Sequence, residues 1–349
     1  MRAPRLRALV AAAAAGALLL GAAACGDDDS LDPPEPEDGT ITVYSGRGES
    51  LVQPVIDQFE SDTGITVNVR YGDTAQMAAQ LQEEGDRSPA DVFYAQDAGA
   101  LGAVAKAGLF ATLPSEVLDL VPAAFQARSG EWVGVTGRSR VLVYHPDLVA
   151  EDELPESVFE LTEPQWQGRV GVAPTNGSFQ AFVTGMRVQH GDDTTRDWLA
   201  GIAANDPQIR ENNIQIVTDV NDGRLEVGLV NHYYLYERAK EDGVPVDQLA
   251  ARNYYFPGGD IGAMVNVSGV GVLTPSAEDP DARAFVEYLL SEAGQSYFAE
   301  QTSEYPMAGG ITVTAGLPEL SELTTPDIDL NDLDSLEETV VMITESGLA

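Results

Sequence analysis

From residue 41 onward the chain alternates between extended and helical patterns at a spacing that leaves few ways to build a sheet. Ile41 to Ser45 is a short β-like run, and the turn Gly46-Arg47-Gly48-Glu49-Ser50 leads into an amphipathic segment from Leu51 to Phe59. Ile65 to Tyr71 alternates again, Thr74 to Glu84 reads as a helix with Thr74 as its cap, and Ala90 to Tyr94 reads as a buried strand. Asp97 can cap a further helix that ends at Gly108. Strands separated by helices of this length pair in parallel through right-handed crossovers. The expected class is therefore α/β, with open, mostly parallel sheets flanked by helices.

The pattern changes at Glu131. Two extended runs, Trp132 to Thr136 and Val141 to Tyr144, are separated by the polar Gly137-Arg138-Ser139-Arg140, and a second extended region runs from Ala263 to Ser268 and on to Val272 and Leu273. Two such segments flanking a further set of α/β units suit a chain that crosses twice between two lobes, or two ordinary β segments in a single domain. The expected organisation is an amino-terminal lobe of residues 40–137 and 267–314 and a carboxyl-terminal lobe of residues 138–266 and 315–349. Trp198, Leu199, Ile202 and Ala203 form a core face, Leu317 to Asp332 should be an extended surface connection, and a helix from Leu336 should return to the second lobe.

The amino terminus reads as an address. Arg2, Arg5 and Arg7 precede an apolar run from Leu9 to Leu20 and then small residues, the pattern of an export signal over residues 1–24. Cys25, the only cysteine, stands where the small residues give way to Gly26-Asp27-Asp28-Asp29, and no disulfide can form within the chain. Residues 25–39, rich in Asp, Glu and Pro, should form an extended tether. The formal charge is -37, and about -40 once the three leader arginines are removed. Nucleic acid and anionic membrane surfaces are disfavoured as partners on that ground, whereas a cationic ligand suits it.

Enzyme chemistry is weakly represented. There is no Gly-x-Ser-x-Gly elbow, the three histidines at 145, 190 and 232 are too scattered for a helical or finger-type zinc site, and the glycines at 258, 259 and 262 follow no parallel strand. Binding chemistry is better placed. Arg224 to Val230 reads as a short strand that enters a helix at Tyr233 and Tyr234, so two phenols sit at a strand-to-helix junction, where ligands bind in open α/β sheets. Arg169 to Ala173 leads likewise through Pro174-Thr175-Asn176-Gly177-Ser178 into a helix from Phe179, and the free N–H groups of such a loop suit an anion.

Five segments carry a resemblance: Val43-Tyr44-Ser45-Gly46-Arg47, Arg87 to Tyr94, Thr136 to Val141, Pro174 to Gly177, and Asn231-His232-Tyr233-Tyr234, with Glu304-Tyr305-Pro306 near the end. In this order they resemble the ferric-ion-binding proteins that feed bacterial iron ABC importers, over nearly all of the chain from Thr40. The resemblance implies a two-lobe, periplasmic-binding-protein-like fold of type II, joined by crossing hinge strands. It implies Fe3+ as the ligand, with Tyr233 and Tyr234 supplying phenolate oxygens to a small hard cation. A permease with its ATPase is the implied partner, and the Cys25 segment resembles a lipobox, implying a lipid anchor at the outer face of the membrane for a monomeric receptor.

Family members carry a histidine where this chain has Gly48 and some a glutamate where it has Gln96, and Phe179 stands where one branch has a third tyrosine. The amino-terminal side is thus left with at most a weak metal contact, from Glu49, Gln96 or Asp97, or with none. Something else must complete the shell, and the expected donor is an exogenous anion such as carbonate, phosphate or citrate. It would be held by Asn176, Gly177 and Ser178, supported by Asn213 and Asn231, through backbone N–H groups and without an arginine. Tyr236, one turn beyond Tyr233, is expected to pack rather than ligate. Two other readings stay open at this point: the same fold binding a different small anion or organic solute, and a secreted hydrolase.

Overall fold

The computed structural model describes residues 39–333 and 335–349. The leader, Cys25 and the rest of the tether before Gly39 lie outside the described residues.

The alternation seen in the sequence is present as β1 (Thr40–Ser45), α1 (Glu49–Thr63), β2 (Thr66–Tyr71), α2 (Thr74–Glu84), β3 (Val92–Ala95) and α3 (Ala98–Lys106). A short α4 (Ser115–Leu118) precedes the long β4 (Val133–Tyr144). There follow β5 (Val170–Val172), α5 (Gly177–His190), α6 (Asp192–Ala204), β6 (Gln208–Ile209), α7 (Asn213–Asn221), β7 (Val227–Asn231), α8 (Tyr233–Asp242) and β8 (Arg252–Tyr254). Then come β9 (Val265–Val272), α9 (Pro280–Leu290), α10 (Glu292–Tyr297), β10 (Tyr305–Pro306) and α11 (Leu336–Glu345). The strands form one sheet in the order β2-β1-β3-β9-β4-β7-β5-β6, with β8 and β10 also bonded to β4. At one end β1 lies parallel to β2 and β3; at the other, β5 lies parallel to β6 and β7. The middle, β3-β9-β4-β7, is antiparallel.

Strand β4 joins the two parallel halves. Its residues Val133 to Ser139 pair with β9, and from Arg140 to Tyr144 it pairs with β7. The expected polar break at Gly137-Arg138-Ser139-Arg140 does not occur: β4 is continuous and every residue in it is buried. Its two guanidinium groups find partners inside the molecule, so a charged residue does not end the strand there. Likewise β9 runs unbroken through Gly269 and Gly271. A β-carbon on Gly271 would lie 2.6 Å from the Phe110 ring, and one on Gly269 would lie 2.6 Å from the Val133 carbonyl, so close packing demands glycine at both.

Local chemistry explains most helix starts. Asp73, not Thr74, caps α2, accepting the N–H groups of Ala75 and Gln76. Thr74 is instead buried, and its Oγ1 accepts the N–H of Gln96 at 2.9 Å. Asp97 caps α3 and Asn176 caps α5 as their side-chain chemistry suggests. Trp198, Leu199 and Ile202 lie in the core, with Trp198 edge-on to Phe182. The stretch from Leu317 to Asp332 is less of a surface connection than expected, since it makes single helical turns at Leu320–Glu322 and Leu330–Asp332 and buries Leu317 and Leu330. The last helix, α11, packs on α5, where the Thr184 and Thr339 hydroxyls meet at 2.8 Å.

Candidate functional site

Strand β7 ends at Asn231, and α8 begins two residues later with Tyr233 and Tyr234. Their rings stack with centroids 4.2 Å apart and planes 29° apart, so both phenols lie side by side on one edge of the first turn. Tyr233 is buried and Tyr234 half-buried. Burial pushes the Tyr233 phenol well above its ordinary value, Tyr234 and Glu304 add to this, and Arg138 opposes it. Tyr236 points elsewhere, its Oη donating to the Gly316 carbonyl at 2.7 Å.

Beside the tyrosines lie three buried arginines that sequence reasoning left out of the site. Arg47 follows β1, and Arg138 and Arg140 are two apart in β4 and therefore share one face of the sheet. Arg47 donates to Glu304 Oε2 at 2.7 Å, and Arg138 Nε lies 3.6 Å from Glu304 Oε1. One carboxylate thus serves two guanidinium groups. Burial alone would pull the Arg47 guanidinium down, but Glu304, Tyr94, Tyr233 and Tyr234 hold it up. Arg138 also donates to the Gln96 carbonyl. The alternation Arg-Ser-Arg in an otherwise apolar strand was the available signal, because a charge kept inside a sheet needs a partner or a ligand.

Arg140 has no carboxylate within ion-pair distance among the described residues. It donates to the Leu229 carbonyl at 2.8 Å and reaches Ser178 Oγ at 3.3 Å and Asn231 Oδ1 at 3.4 Å. Its Nε has no partner, its guanidinium lies over the rings of Phe179 and Phe182, and burial pulls it down to about 9. Asn176 Oδ1 accepts from Ser178 Oγ at 2.7 Å, and Asn213 Nδ2 donates to Ser178 Oγ at 2.8 Å. The structure therefore joins Asn176, Ser178, Asn213 and Asn231 into one hydrogen-bonded set in which Arg140 links Ser178 to Asn231, and the expectation of a cradle without an arginine is not met. Gly177 is exposed, with nothing within 4 Å of where a β-carbon would stand, so the set opens to solvent at the first turn of α5. Behind it, a cavity of about 20 Å³ lies between Asp97, Arg138, Arg140 and Asn266, room for roughly one water.

The amino-terminal candidates are placed differently. Glu49 is exposed on the first turn of α1, and its charge acts on Tyr71. Gln96 contributes its backbone, to Thr74 and Arg138. Asp97 is occupied as the cap of α3, its carboxyl raised by burial despite the N–H groups of Ala100 and Gly99 and the charge of Arg138. Phe179 is fully buried against Phe182 and Trp198. No group of three or more His, Cys, Asp or Glu suited to a metal occurs among the described residues. A wider groove, about 580 Å³, lies beyond α8 between Tyr236, Lys240 and the 300–303 and 314–316 segments, and none of the expected ligands lines it.

Residues 87–333 match the family described as bacterial extracellular solute-binding protein. An Fe(3+)-binding periplasmic protein of Serratia marcescens is 33% identical over 312 residues, covering 89% of this chain and 91% of that protein. Iron-bound HitA from Pseudomonas aeruginosa superposes with a TM-score of 0.81 at 37% identity, covering 88% of this chain and 99% of that structure. A Trichodesmium protein, IdiA (FutA), solved with iron and citrate ligands, superposes with a TM-score of 0.76 at 26% identity, covering 89% and 100%. With the family matched over most of its length and the type II binding-protein fold shared with these structures, the chain belongs to the bacterial extracellular solute-binding proteins.

Proposed function

We propose that this protein captures ferric iron together with a small anion outside the cytoplasmic membrane and delivers it to the permease of an ABC importer. The observation that carries this reading is the stacked Tyr233–Tyr234 pair beside the hydrogen-bonded set around Arg140. Ferric iron prefers anionic oxygen, and a metal charge can strip the proton from a phenol that would otherwise keep it at neutral pH. Arg138 acts on Tyr233 toward the phenolate, against the burial that raises it. Two phenolates leave the ion short of charge and of donors, and carbonate, phosphate or citrate held by Asn176, Gly177, Ser178, Asn213, Asn231 and Arg140 supplies both. An anion also relieves the isolated charge of Arg140. The names of the relatives and the iron-bound neighbours support the metal, and the citrate-bound neighbour supports an anion.

The two lobes of this reading are residues 40–137 with 267–314 and residues 138–266 with 315–349; β4 changes partner between Ser139 and Arg140, two residues after the first of these joins. The protein is a carrier rather than a catalyst, acts as a monomer, and is held at the outer face of the membrane by lipid on Cys25. The test is an iron titration of the chain lacking its leader, in carbonate- and phosphate-free buffer, with each anion then restored singly. A visible ferric–phenolate band that develops only with anion is expected. Iron taken up at full strength without anion would overturn the anion's role, and iron taken up without colour would overturn the tyrosines'.

A further inference from the structure

Four helices that frame the site are closed by a side chain at their own start. Asp73, Asp97, Asn176 and Asn212 each accept a hydrogen bond from an N–H of the helix that follows. The tyrosine helix α8 does otherwise. His232 stands at its cap with helical angles (φ -57°, ψ -39°), and its side chain bonds no N–H of that helix. The imidazole turns away instead. Its Nδ1 accepts the N–H of Ser139 at 3.1 Å, and its Nε2 lies 2.9 Å from the carbonyl oxygen of Ser303. Since an amide N–H can only donate and a carbonyl can only accept, the ring is neutral with its proton on Nε2.

The backbone of His232 makes two further ties. Its N–H donates to the Ser139 carbonyl at 2.9 Å, and its own carbonyl accepts from Asn253 Nδ2 in β8 at 2.8 Å. Ser139 is the last residue of β4 before that strand changes partner. Ser303 ends the π-turn Phe298–Thr302 with a left-handed φ of 54° and leads into Glu304 and β10. A serine keeps that conformation only where its surroundings hold it, and the His232 ring bonds its carbonyl. The residue next to Tyr233 is thus fully buried, with its N–H and Nδ1 both bonded to Ser139, its Nε2 to Ser303 and its carbonyl to Asn253 as well as to the N–H of Leu235 in α8.

We infer that His232 is a positioning residue for metal capture: in place of a local cap it ties the first turn of α8 to β4, β8 and the segment entering β10, fixing the direction of both phenol oxygens. The inference rests on the reading of Tyr233 and Tyr234 as iron ligands. A histidine that only stabilised the fold would change how much protein is folded and leave the complex formed by the folded fraction unaltered.

The test compares His232→Asn and His232→Leu with Ser157→Ala, a change that removes the bond from Ser157 to Asp260 and the cap on Phe159 and touches no bond of His232 or the tyrosines. Iron affinity and the ferric–phenolate band are read well below each melting temperature. The expected result is a loss of about tenfold to a hundredfold for the histidine variants, the range found when residues that orient metal ligands are removed. The band should shift, more for Leu than for Asn, which retains an acceptor toward Ser139, while Ser157→Ala changes neither. Affinity and band within twofold of the parent in both histidine variants, or an equal loss in Ser157→Ala, would overturn the inference. Should Leu not fold, the imidazole nitrogen spectrum of the unmodified protein also decides. A single Nε2-protonated tautomer with a slowly exchanging proton supports it, and a mixture of tautomers overturns it. Parent protein that binds iron without colour would overturn the tyrosine assignment itself, a separate failure.

Discussion

On the carboxyl-terminal side of the site, Asn176, Ser178, Asn213, Asn231 and Arg140 hold one another through side-chain hydrogen bonds, and the two phenols stack beside them. On the amino-terminal side, Glu49 is exposed, Gln96 works through its backbone, and Asp97 caps a helix. A group already held in place loses little freedom when ligand arrives, whereas an exposed side chain must be ordered at that moment. On the proposed reading, most of the binding free energy should therefore come from the carboxyl-terminal side, and Glu49 could add to it only by being ordered when ligand arrives.

The largest expected effect is on the phenols. Tyr233→Phe and Tyr234→Phe each keep the stacked ring and remove only a donor oxygen. Since groups that merely orient a ligand change metal affinity by roughly 10–100-fold, loss of a ligand should exceed about a hundredfold, with loss of visible colour. Competitive titration against a chelator measures the first and absorbance the second. Retained affinity in both variants would remove the stronger side of the comparison.

Next is Arg140→Met, which keeps an apolar stem over Phe179 and Phe182 and removes the charge. Charge-assisted hydrogen bonds contribute about 1.5–3 kcal/mol, so the anion concentration needed for half-maximal iron colour should rise roughly tenfold to a hundredfold. The metal-free protein should melt within a few degrees of the parent, because an unpaired buried charge adds little to stability. Unchanged anion demand would show that the set around Ser178 works without Arg140.

How the sequence led to these residues, and where it did not, follows from the range of the interactions. Asn176 and Asp97 cap helices through bonds to residues two or three along the chain, and such chemistry is legible locally. The Tyr233–Tyr234 junction follows from one strand-to-helix transition. The link through Arg140 could not be read in the same way, since its contacts reach Ser178, 38 positions away, and Asn231, 91 away. Arg47 and Glu304, 257 positions apart, meet only because the chain crosses between the halves of the sheet. The continuity of β4 was missed for the same reason: Arg138 and Arg140 read as a polar break until Glu304, the Gln96 carbonyl and the Leu229 carbonyl are brought to them.

A smaller effect concerns how the carboxyl-terminal side is held in place. Asp219, on α7, accepts from Arg210 Nε and lies 2.7 Å from Arg224 Nη2, a clamp on the helix that carries Asn213. Burial acts to raise its carboxyl, but the two arginines outweigh this and hold it below its ordinary 3.8. A group lowered in the folded state binds fewer protons there than in the unfolded chain, so its stabilisation is present above 3.8 and is lost as pH falls through the lowered folded value. Asp219→Asn should reduce stability at neutral pH by about 1 kcal/mol, given partly exposed partners. It should also flatten the acid limb of the melting-temperature profile, with iron affinity changing about twofold or less. A steeper acid limb in the variant would contradict the sign.

The smallest expected effect is at Glu49, and it decides the comparison most directly. Glu49 begins α1 after Gly48, which offers no side-chain cap, so its charge favours the helix start by about 0.3–1 kcal/mol. Its electrostatic neighbour is Tyr71, whose phenol is pushed up to about 12 by burial and then by Glu49 and Asp57. Glu49→Gln should therefore lower stability by about 0.5 kcal/mol, bring the Tyr71 titration down, and leave iron affinity within about twofold when anion is saturating. If iron affinity instead fell tenfold or more, Glu49 would have to move onto the metal when the protein closes. In that case the anion requirement should be weak in the parent and strengthen in the variant, because the exogenous anion would then replace a lost carboxylate. Titrating both proteins across carbonate concentration separates the two: parallel curves mean Glu49 acts only on its helix and Tyr71, while a steeper dependence in the variant means the exposed side of the site joins the shell on closure.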